Sequence, residues 1–234
     1  HEGGALLVVD NTFATPYLQR PIELGADVVV HSTTKYIGGH SDLIGGAVVI
    51  REGLELPLGR PGWTGTGRVV DEVRFAQQAT GSIQSPRDAA LAHRGLKTLA
   101  VRMDRHSASA LAIARHLVED TRVTVVHHPG LESDPGHELA VRQMSGFGGV
   151  LSFELGSAVA ARRVAESTRI FGLAVSLGAT ESLIEYPPVM THAVKPGTPE
   201  ELPQGPLRLA VGLEDVEDLI ADLDRAITRA FAEA

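Results

Sequence analysis

Three short, uninterrupted apolar runs constrain the fold of this chain more than any other feature. They cover residues 5–9, 27–31 and 46–50, and the first ends at Asp10. Strands with one face in water alternate apolar and polar residues, whereas runs without alternation are typical of strands buried on both faces. The runs therefore predict a parallel or mixed sheet covered by helices, which is an α/β fold.

The remaining pattern predicts further helices and strands. Hydrophobic residues make up 43% of the 234 residues, enough for a sizeable core. A surface loop is predicted over 51–68 and helices from about 70, over 88–118, over 158–171 and along an apolar stripe after 213; strands are predicted over 123–126, 149–153, 173–175 and 207–211. Residues 180–182 resemble a helix start. The long stretch 88–118 predicts a helical bridge between two domains.

Lys35 lies in a run that suits a reactive amine. Ser32 and Thr34 flank it on a loop that follows a predicted buried strand, and a Gly-Gly pair follows it. Asp10 ends a neighbouring strand, and residues at the carboxyl ends of such strands line the ligand crevice. A Schiff-base lysine and a carboxylate for a pyridinium nitrogen are what pyridoxal phosphate (PLP) needs. The alternatives are a surface lysine and an aspartate that caps a turn.

Arg208 interrupts the apolar strand predicted over 207–211. A buried guanidinium is costly without an anion, and its two-pronged geometry suits a substrate carboxylate. The alternative is a half-exposed strand on which Arg208 faces water. Ser176 lies in a turn after a predicted strand, where it either binds an anion or caps a helix.

Composition excludes several classes of function. The net charge of −8 argues against nucleic acid or anionic membrane as partner, and the absence of cysteine excludes disulfides and thiolate metal sites. We predict no metal site, no membrane span and a cytoplasmic protein. Because the chain begins at His1 and enters a strand at once, we expect it to be part of a longer protein.

Several motifs together resemble the Cys/Met-metabolism family of PLP enzymes, which includes cystathionine γ-lyase, cystathionine γ-synthase, methionine γ-lyase and O-acylhomoserine sulfhydrylase. The matching segments run in order along almost the whole chain: residues 9–16, 32–42, 94–99 with 102–103, 176–178, 181–185, 190–193 and 208–215.

The resemblance implies a fold-type-I PLP-dependent transferase fold. Residues 1–87 would be the C-terminal part of the PLP-binding large domain, and residues 88–234 the bridging helix and the small α/β domain. It also implies a homotetramer, built as a dimer of dimers. The N-terminal phosphate-binding turn of the family, its ring-stacking aromatic residue and the residues lent by a neighbouring subunit are not in this sequence.

The resemblance also assigns roles to individual residues. Lys35 would be the catalytic lysine bound to PLP, and Asp10 the partner of the ring nitrogen. Ser32 and Thr34 would bind the phosphate, while Ser176 and Arg208 would hold the substrate carboxylate.

Val175 stands where many cystathionine-processing members have glutamate, and an apolar residue there favours a small or thioether side chain over a second charged amino-acid head. The resulting expectation is a PLP-dependent C–S lyase of sulfur amino acids that resembles methionine and cystathionine γ-lyases and acts by α,γ- or α,β-elimination. A γ-replacement enzyme, such as a cystathionine γ-synthase or sulfhydrylase, and a non-catalytic PLP-fold assembly module are the alternatives.

Overall fold

The computed structural model describes residues 1–56, 67–191 and 205–232. The strands are β1 (Val8–Asp10), β2 (Val28–Ser32), β3 (Gly46–Ile50), β4 (Val125–His127), β5 (Val150–Glu154), β6 (Gly172–Leu173), β7 (Leu183–Glu185) and β8 (Pro206–Ala210). The helices are α1 (Thr15–Leu18), α2 (Val69–Thr80), α3 (Pro86–Leu96), α4 (Leu99–Glu119), α5 (His137–Gln143), α6 (Ala158–Ser167), α7 (Pro187–Met190) and α8 (Val216–Ala232).

The strands form two mixed sheets. In the first, β1 pairs with β2 in parallel and β2 with β3 in antiparallel orientation. In the second, the order is β4-β5-β8-β7-β6, and only β6 and β7 run parallel. The predicted α/β class with mixed sheets is therefore confirmed.

Within the described residues, the predicted burial of the first sheet is found for only one of its three strands. Only β2 is mostly buried, whereas Val8 of β1 is 56% exposed and Val48 of β3 is 51% exposed. These two strands form the edges of a three-stranded sheet, and no described segment covers their outer faces. An apolar run predicts that a strand forms, but it does not predict whether a second layer of structure packs on that strand.

The main core lies between the second sheet and helices α4, α6 and α8. The fully buried members include Ile113 of α4, Phe153 of β5, Leu209 of β8 and Val164 of α6. The predicted stripe of the last helix is confirmed, since Leu219, Leu223 and Ile227 have no exposed surface, although Phe231 at its end is 38% exposed.

The predicted bridging helix is two helices. α3 ends at Leu96 and α4 begins at Leu99, so the helix breaks at Lys97 and Thr98. A Cβ at Gly95 would clash with the carbonyl oxygens of residues 37 and 38, so this turn of α3 lies against the loop that follows Lys35. Leu96, the last residue of α3, is 46% exposed. The division into domains 1–87 and 88–234 stays a prediction.

Two other local predictions need correction. Residues 180–182 do not begin a helix but lead into β7, a strand that the sequence analysis missed together with α5. The helix expected over 158–171 ends at Ser167, where the chain turns away from α6. Most of the loop predicted over 51–68, and His192 and Ala193 of the last motifs, lie outside the described residues. No helix within the described ranges is long and apolar enough to cross a membrane.

Candidate active site

Asp10 and Ser32 lie together at the carboxyl edge of the first sheet, because β1 and β2 are parallel neighbours. Thr12 links the two strand ends. Its backbone N–H donates to Asp10 Oδ1 at 2.9 Å, and its hydroxyl oxygen accepts the N–H of Ser32 at 2.9 Å. Hydrogen bonds from the side chain and backbone of Thr12 hold the pKa of Asp10 below its usual value. Asp10 is therefore a carboxylate at neutral pH.

His31 is a neighbour of Asp10 that the sequence analysis did not assign to the site. The ring is 7% exposed, and its Nδ1 has no hydrogen-bond partner among the described residues. Burial lowers the pKa of His31, against the opposing charge of Asp10, so the ring is neutral at pH 7. The sequence feature that could have identified His31 as a site residue is its position on β2, one residue before Ser32.

Lys35 lies in a tight turn over Thr33–Ile37, immediately after β2. Its backbone has φ −87° and ψ −133°, outside the helical values of a regular turn. Nζ donates a hydrogen bond to Ser176 Oγ over 2.7 Å, across 141 residues of sequence. Burial lowers the pKa of Lys35, and the charge of Arg208 lowers it further, against the opposing charge of Glu185. A larger share of this amine is neutral than in an ordinary lysine.

Ser176 connects Lys35 with Arg208. Its hydroxyl oxygen accepts from Lys35, and its carbonyl oxygen accepts from Arg208 Nη2 at 3.1 Å. Its φ of +119° is one that residues with a Cβ rarely adopt. Gly178, two residues on, packs against the backbone of Tyr36 so closely that a Cβ there would clash. The structure thus brings together three of the predicted site residues.

Arg208 has a protein carboxylate as partner, which the sequence analysis did not predict. Its guanidinium forms an ion pair with Glu185 on the adjacent strand β7. The Glu185 side chain is 1% exposed and that of Arg208 is 23% exposed. Arg208 Nε is buried without a hydrogen-bond partner in the described part of the chain. The alternative in which Arg208 simply faces water is therefore wrong.

Thr34 and Ser32 differ in what their hydroxyl groups contact. Thr34 Oγ1 donates to the carbonyl of Gly45 at 3.3 Å and accepts its N–H at 3.0 Å. The hydroxyl of Ser32 makes no hydrogen bond to the described residues, so it is available to a ligand. Val175, next to Ser176, is 48% exposed.

The residues present fit PLP. Asp10 offers a carboxylate to a ring nitrogen, Lys35 an amine with a lowered pKa, and Ser32 a hydroxyl donor for a phosphate. Arg208 Nε is a buried donor that lacks an acceptor, as expected beside an anionic ligand. Among residues 1–56, 67–191 and 205–232, no cluster of three acidic or histidine side chains could hold a metal ion.

Comparisons with known proteins bear on this site. Residues 1–228 match the family described as Cys/Met metabolism PLP-dependent enzyme. The chain is 49% identical over 224 residues to a cystathionine gamma-synthase of Mycobacterium tuberculosis, covering 95% of this chain and 54% of that protein. It is 47% identical over 232 residues to an L-methionine gamma-lyase of Pseudomonas putida, covering 96% and 54%.

The fold is also similar to that of solved structures. A cystathionine gamma synthase from Xanthomonas oryzae pv. oryzae, in complex with aminoacrylate and cysteine, superposes with a TM-score of 0.89 at 44% identity. That match covers 100% of this chain and 58% of the other, so the predicted fold-type-I architecture is confirmed for this segment. The chain spans about half the length of the curated relatives it matches.

Proposed function

From the finding that this chain belongs to the Cys/Met metabolism PLP-dependent enzymes, we propose that it carries the lysine and carboxylate-binding part of a C–S lyase. The substrate is a small sulfur amino acid, such as methionine or cystathionine. The observation that carries the proposal is the contact of Lys35 Nζ, Ser176 and Arg208 in one site.

Asp10, Ser32, Thr34 and Lys35 are the residues that would hold PLP. Bound PLP supplies an electron sink for negative charge that develops at the substrate Cα. Asp10 supports that role because a carboxylate beside the ring nitrogen keeps it protonated. Ser32 offers its free hydroxyl to the phosphate. Thr34 contributes more weakly, since its hydroxyl is already bonded to Gly45.

Lys35 is the general base of the proposed reaction. A base must be unprotonated, and an ordinary lysine is almost fully charged at neutral pH. Burial and the charge of Arg208 shift the amine toward its neutral form. Ser176 Oγ, at 2.7 Å, fixes the direction in which Nζ points. In this form Nζ would take the proton from the substrate Cα and, where the sulfur is on Cγ, a second proton from Cβ. The C–S bond would then break with its electron pair going to sulfur, and a proton returned from Lys35 Nζ would let the sulfur leave as a thiol.

Arg208 and Ser176 orient the substrate through its α-carboxylate. Arg208 already shares Nη2 between Glu185 and the carbonyl of Ser176, so its guanidinium is held in place before substrate binds. Its Nε is the donor left for the carboxylate. Because Glu185 offsets part of the positive charge, the site holds the carboxylate mainly by hydrogen-bond geometry.

The assembly proposed for the whole protein is a homo-oligomer, a dimer of dimers. Its small-molecule partner is the sulfur amino acid.

The experiment combines cofactor trapping with product analysis. The protein is incubated with PLP, reduced with borohydride and digested, and the labelled peptide is identified; label at Lys35, and not at Lys97 or Lys195, supports the site. Turnover of methionine and cystathionine is then followed. A lyase yields thiol, ammonia and a 2-oxo acid, whereas exchange of the sulfur substituent without ammonia overturns the lyase proposal.

A further inference from the structure

Arg102 of α4 is a buried cation that has no carboxylate partner among the described residues. It is 4% exposed. Its donors bind four oxygen atoms: Nε binds Thr98 Oγ1 at 3.0 Å, Nη1 the carbonyl of Tyr36 at 2.7 Å, and Nη2 the carbonyls of Gly95 at 2.8 Å and Ile37 at 3.5 Å. Burying a cation in this way is costly and burial lowers the pKa of Arg102, so the contacts need an explanation.

Two of these acceptors are the peptide groups that follow Lys35. The carbonyls of Tyr36 and Ile37 both point at the guanidinium, which therefore lies directly behind the turn that presents the lysine. The fit is close. A Cβ at Gly39, whose φ is +75°, would clash with the guanidinium of Arg102. Glycine at this position is what lets the backbone approach the arginine.

The Lys35 backbone needs such support. Lys35, with a ψ of −133°, is a non-helical residue within the helical turn Thr33–Ile37. This backbone conformation is sparsely populated, and such conformations persist only where contacts with the surrounding structure hold them. The local hydrogen bonds, from Gly38 N–H to Thr33 O and from Gly39 N–H to Lys35 O, close the turn but leave the carbonyls of Tyr36 and Ile37 to Arg102.

We propose that Arg102 is a positioning residue for Lys35: by binding the carbonyl oxygens of Tyr36 and Ile37, it fixes the turn from which Lys35 Nζ reaches Ser176. Arg102 does not touch the substrate or the cofactor in this assignment. The inference rests on the proposed function only in taking Lys35 as the reacting amine. Without Arg102 the turn relaxes, and Nζ moves away from Ser176 and the Arg208 charge toward water.

The test measures the ionisation of Lys35 directly. The full chain is freed of PLP and labelled with trace acetic anhydride over a range of pH, and mass spectrometry follows the labelling of Lys35 and of exposed Lys97 in the same sample. In the parent, the midpoint for Lys35 lies below the ordinary value for a lysine side chain. In Arg102→Met it rises toward that ordinary value, so that less Lys35 is labelled at a pH below the midpoint, while the labelling of Lys97 stays as in the parent.

Two further variants complete the series. Arg102→Lys keeps the charge but not the fork of donors, and we expect a midpoint between those of the parent and Arg102→Met. Arg105→Met is the matched control, because Arg105 lies on the same helix, is exposed and binds only the carbonyl of Glu214 in the described structure. It leaves the Lys35 midpoint unchanged.

A merely structural role predicts a different result. A folded Arg102→Met, judged by circular dichroism and gel filtration, with an unchanged Lys35 midpoint overturns the proposal. If that variant does not fold, Thr98→Val replaces it: this change removes the hydroxyl that accepts from Arg102 Nε and donates to the carbonyl of Gly95, a second acceptor of the same guanidinium, and an unchanged Lys35 midpoint there has the same consequence. Borohydride trapping of PLP at another lysine in the parent would overturn the function proposed for Lys35 but leave the labelling result standing.

Discussion

Replacing Arg208 by methionine removes a charge on which both the fold and the proposed substrate site depend. Removal of one partner of a buried ion pair costs about 3–5 kcal/mol, because the other charge is left without compensation. Glu185 is 1% exposed, but Arg208 is 23% exposed, so water can reach part of the vacated space. We therefore expect the lower end, about 3 kcal/mol, which corresponds to a fall in Tm of roughly 6–12 °C for a chain of this size.

The same variant should lose catalytic efficiency. Truncating one partner of a buried charge pair at a binding site costs about 2–5 kcal/mol, or roughly 30- to 5,000-fold in kcat/KM. The assays are thermal unfolding and steady-state kinetics with methionine and cystathionine. Arg20→Met is the matched control for stability, because the Arg20–Glu23 pair is exposed on both sides and should be worth less than about 1 kcal/mol.

The double variant Glu185→Gln/Arg208→Met separates the two effects. It removes the unpaired carboxylate and should regain most of the lost Tm, but none of the lost kcat/KM, because no donor for the substrate carboxylate returns. A single Arg208→Met variant that melts within about 2 °C of the parent would refute the buried pair. Recovery of activity in the double variant would refute the substrate-binding role.

Four further outcomes are expected. Lys35→Ala should abolish turnover and borohydride trapping without loss of far-ultraviolet circular dichroism; near-parental turnover without added amines contradicts the base assignment. Asp10→Asn should retain PLP but lower kcat, and an unchanged kcat argues against the ring-nitrogen role. Val175→Glu should raise the ratio of kcat/KM for cystathionine to that for methionine, since an apolar wall suits the terminal methyl group of methionine but not the distal ammonium of cystathionine; a constant ratio means that Val175 does not face the substrate. Burial lowers the pKa of His106 to about 4, so its folded state binds fewer protons than the unfolded state, and this residue alone costs about 3 kcal/mol of stability as pH drops from about 6.5 to 4. Chemical denaturation at several pH values should show a clearly smaller fall in stability in His106→Gln, where His31 and His128 still contribute, than in the parent and in the exposed control His93→Gln; equal falls in all three contradict the role of His106.

Sequence reasoning identified the residues of the site more successfully than their contacts. The sequence analysis selected each residue on local grounds. Lys35 lies in a hydroxyl-rich run, Ser176 in a turn after a predicted strand, and Arg208 within an apolar strand. Their meeting depends on contacts across 141 and 32 residues, which no local pattern encodes. Glu185 carried the same signal as Arg208, a charge in a short apolar strand, but the register that pairs β7 with β8 is fixed only by the assembled sheet.

The errors in the fold have a similar origin. The periodicity of residues 88–118 is helical throughout, and the break at Lys97 and Thr98 arises where Gly95 presses against the loop after Lys35. β1 and β3 have the composition of buried strands and form as strands, but burial depends on neighbouring layers. Amphipathic α8 was predictable because its own sequence contains both the apolar stripe and the charge distribution that define it.

Ser176 combines a strained backbone conformation with hydrogen bonds to two other residues of the site. With φ +119°, it adopts a backbone conformation that glycine would adopt without strain. Glycine would keep the carbonyl that accepts from Arg208, but not the hydroxyl that accepts from Lys35. The side chain is therefore retained against a conformational cost of order 1–3 kcal/mol, and such strain persists where surrounding contacts fix the backbone and the group has a function. For Ser176, the contacts that fix the backbone include its hydrogen bonds with Lys35 and Arg208. One residue with a strained backbone thus lies between the proposed base and the proposed carboxylate anchor and forms one hydrogen bond with each.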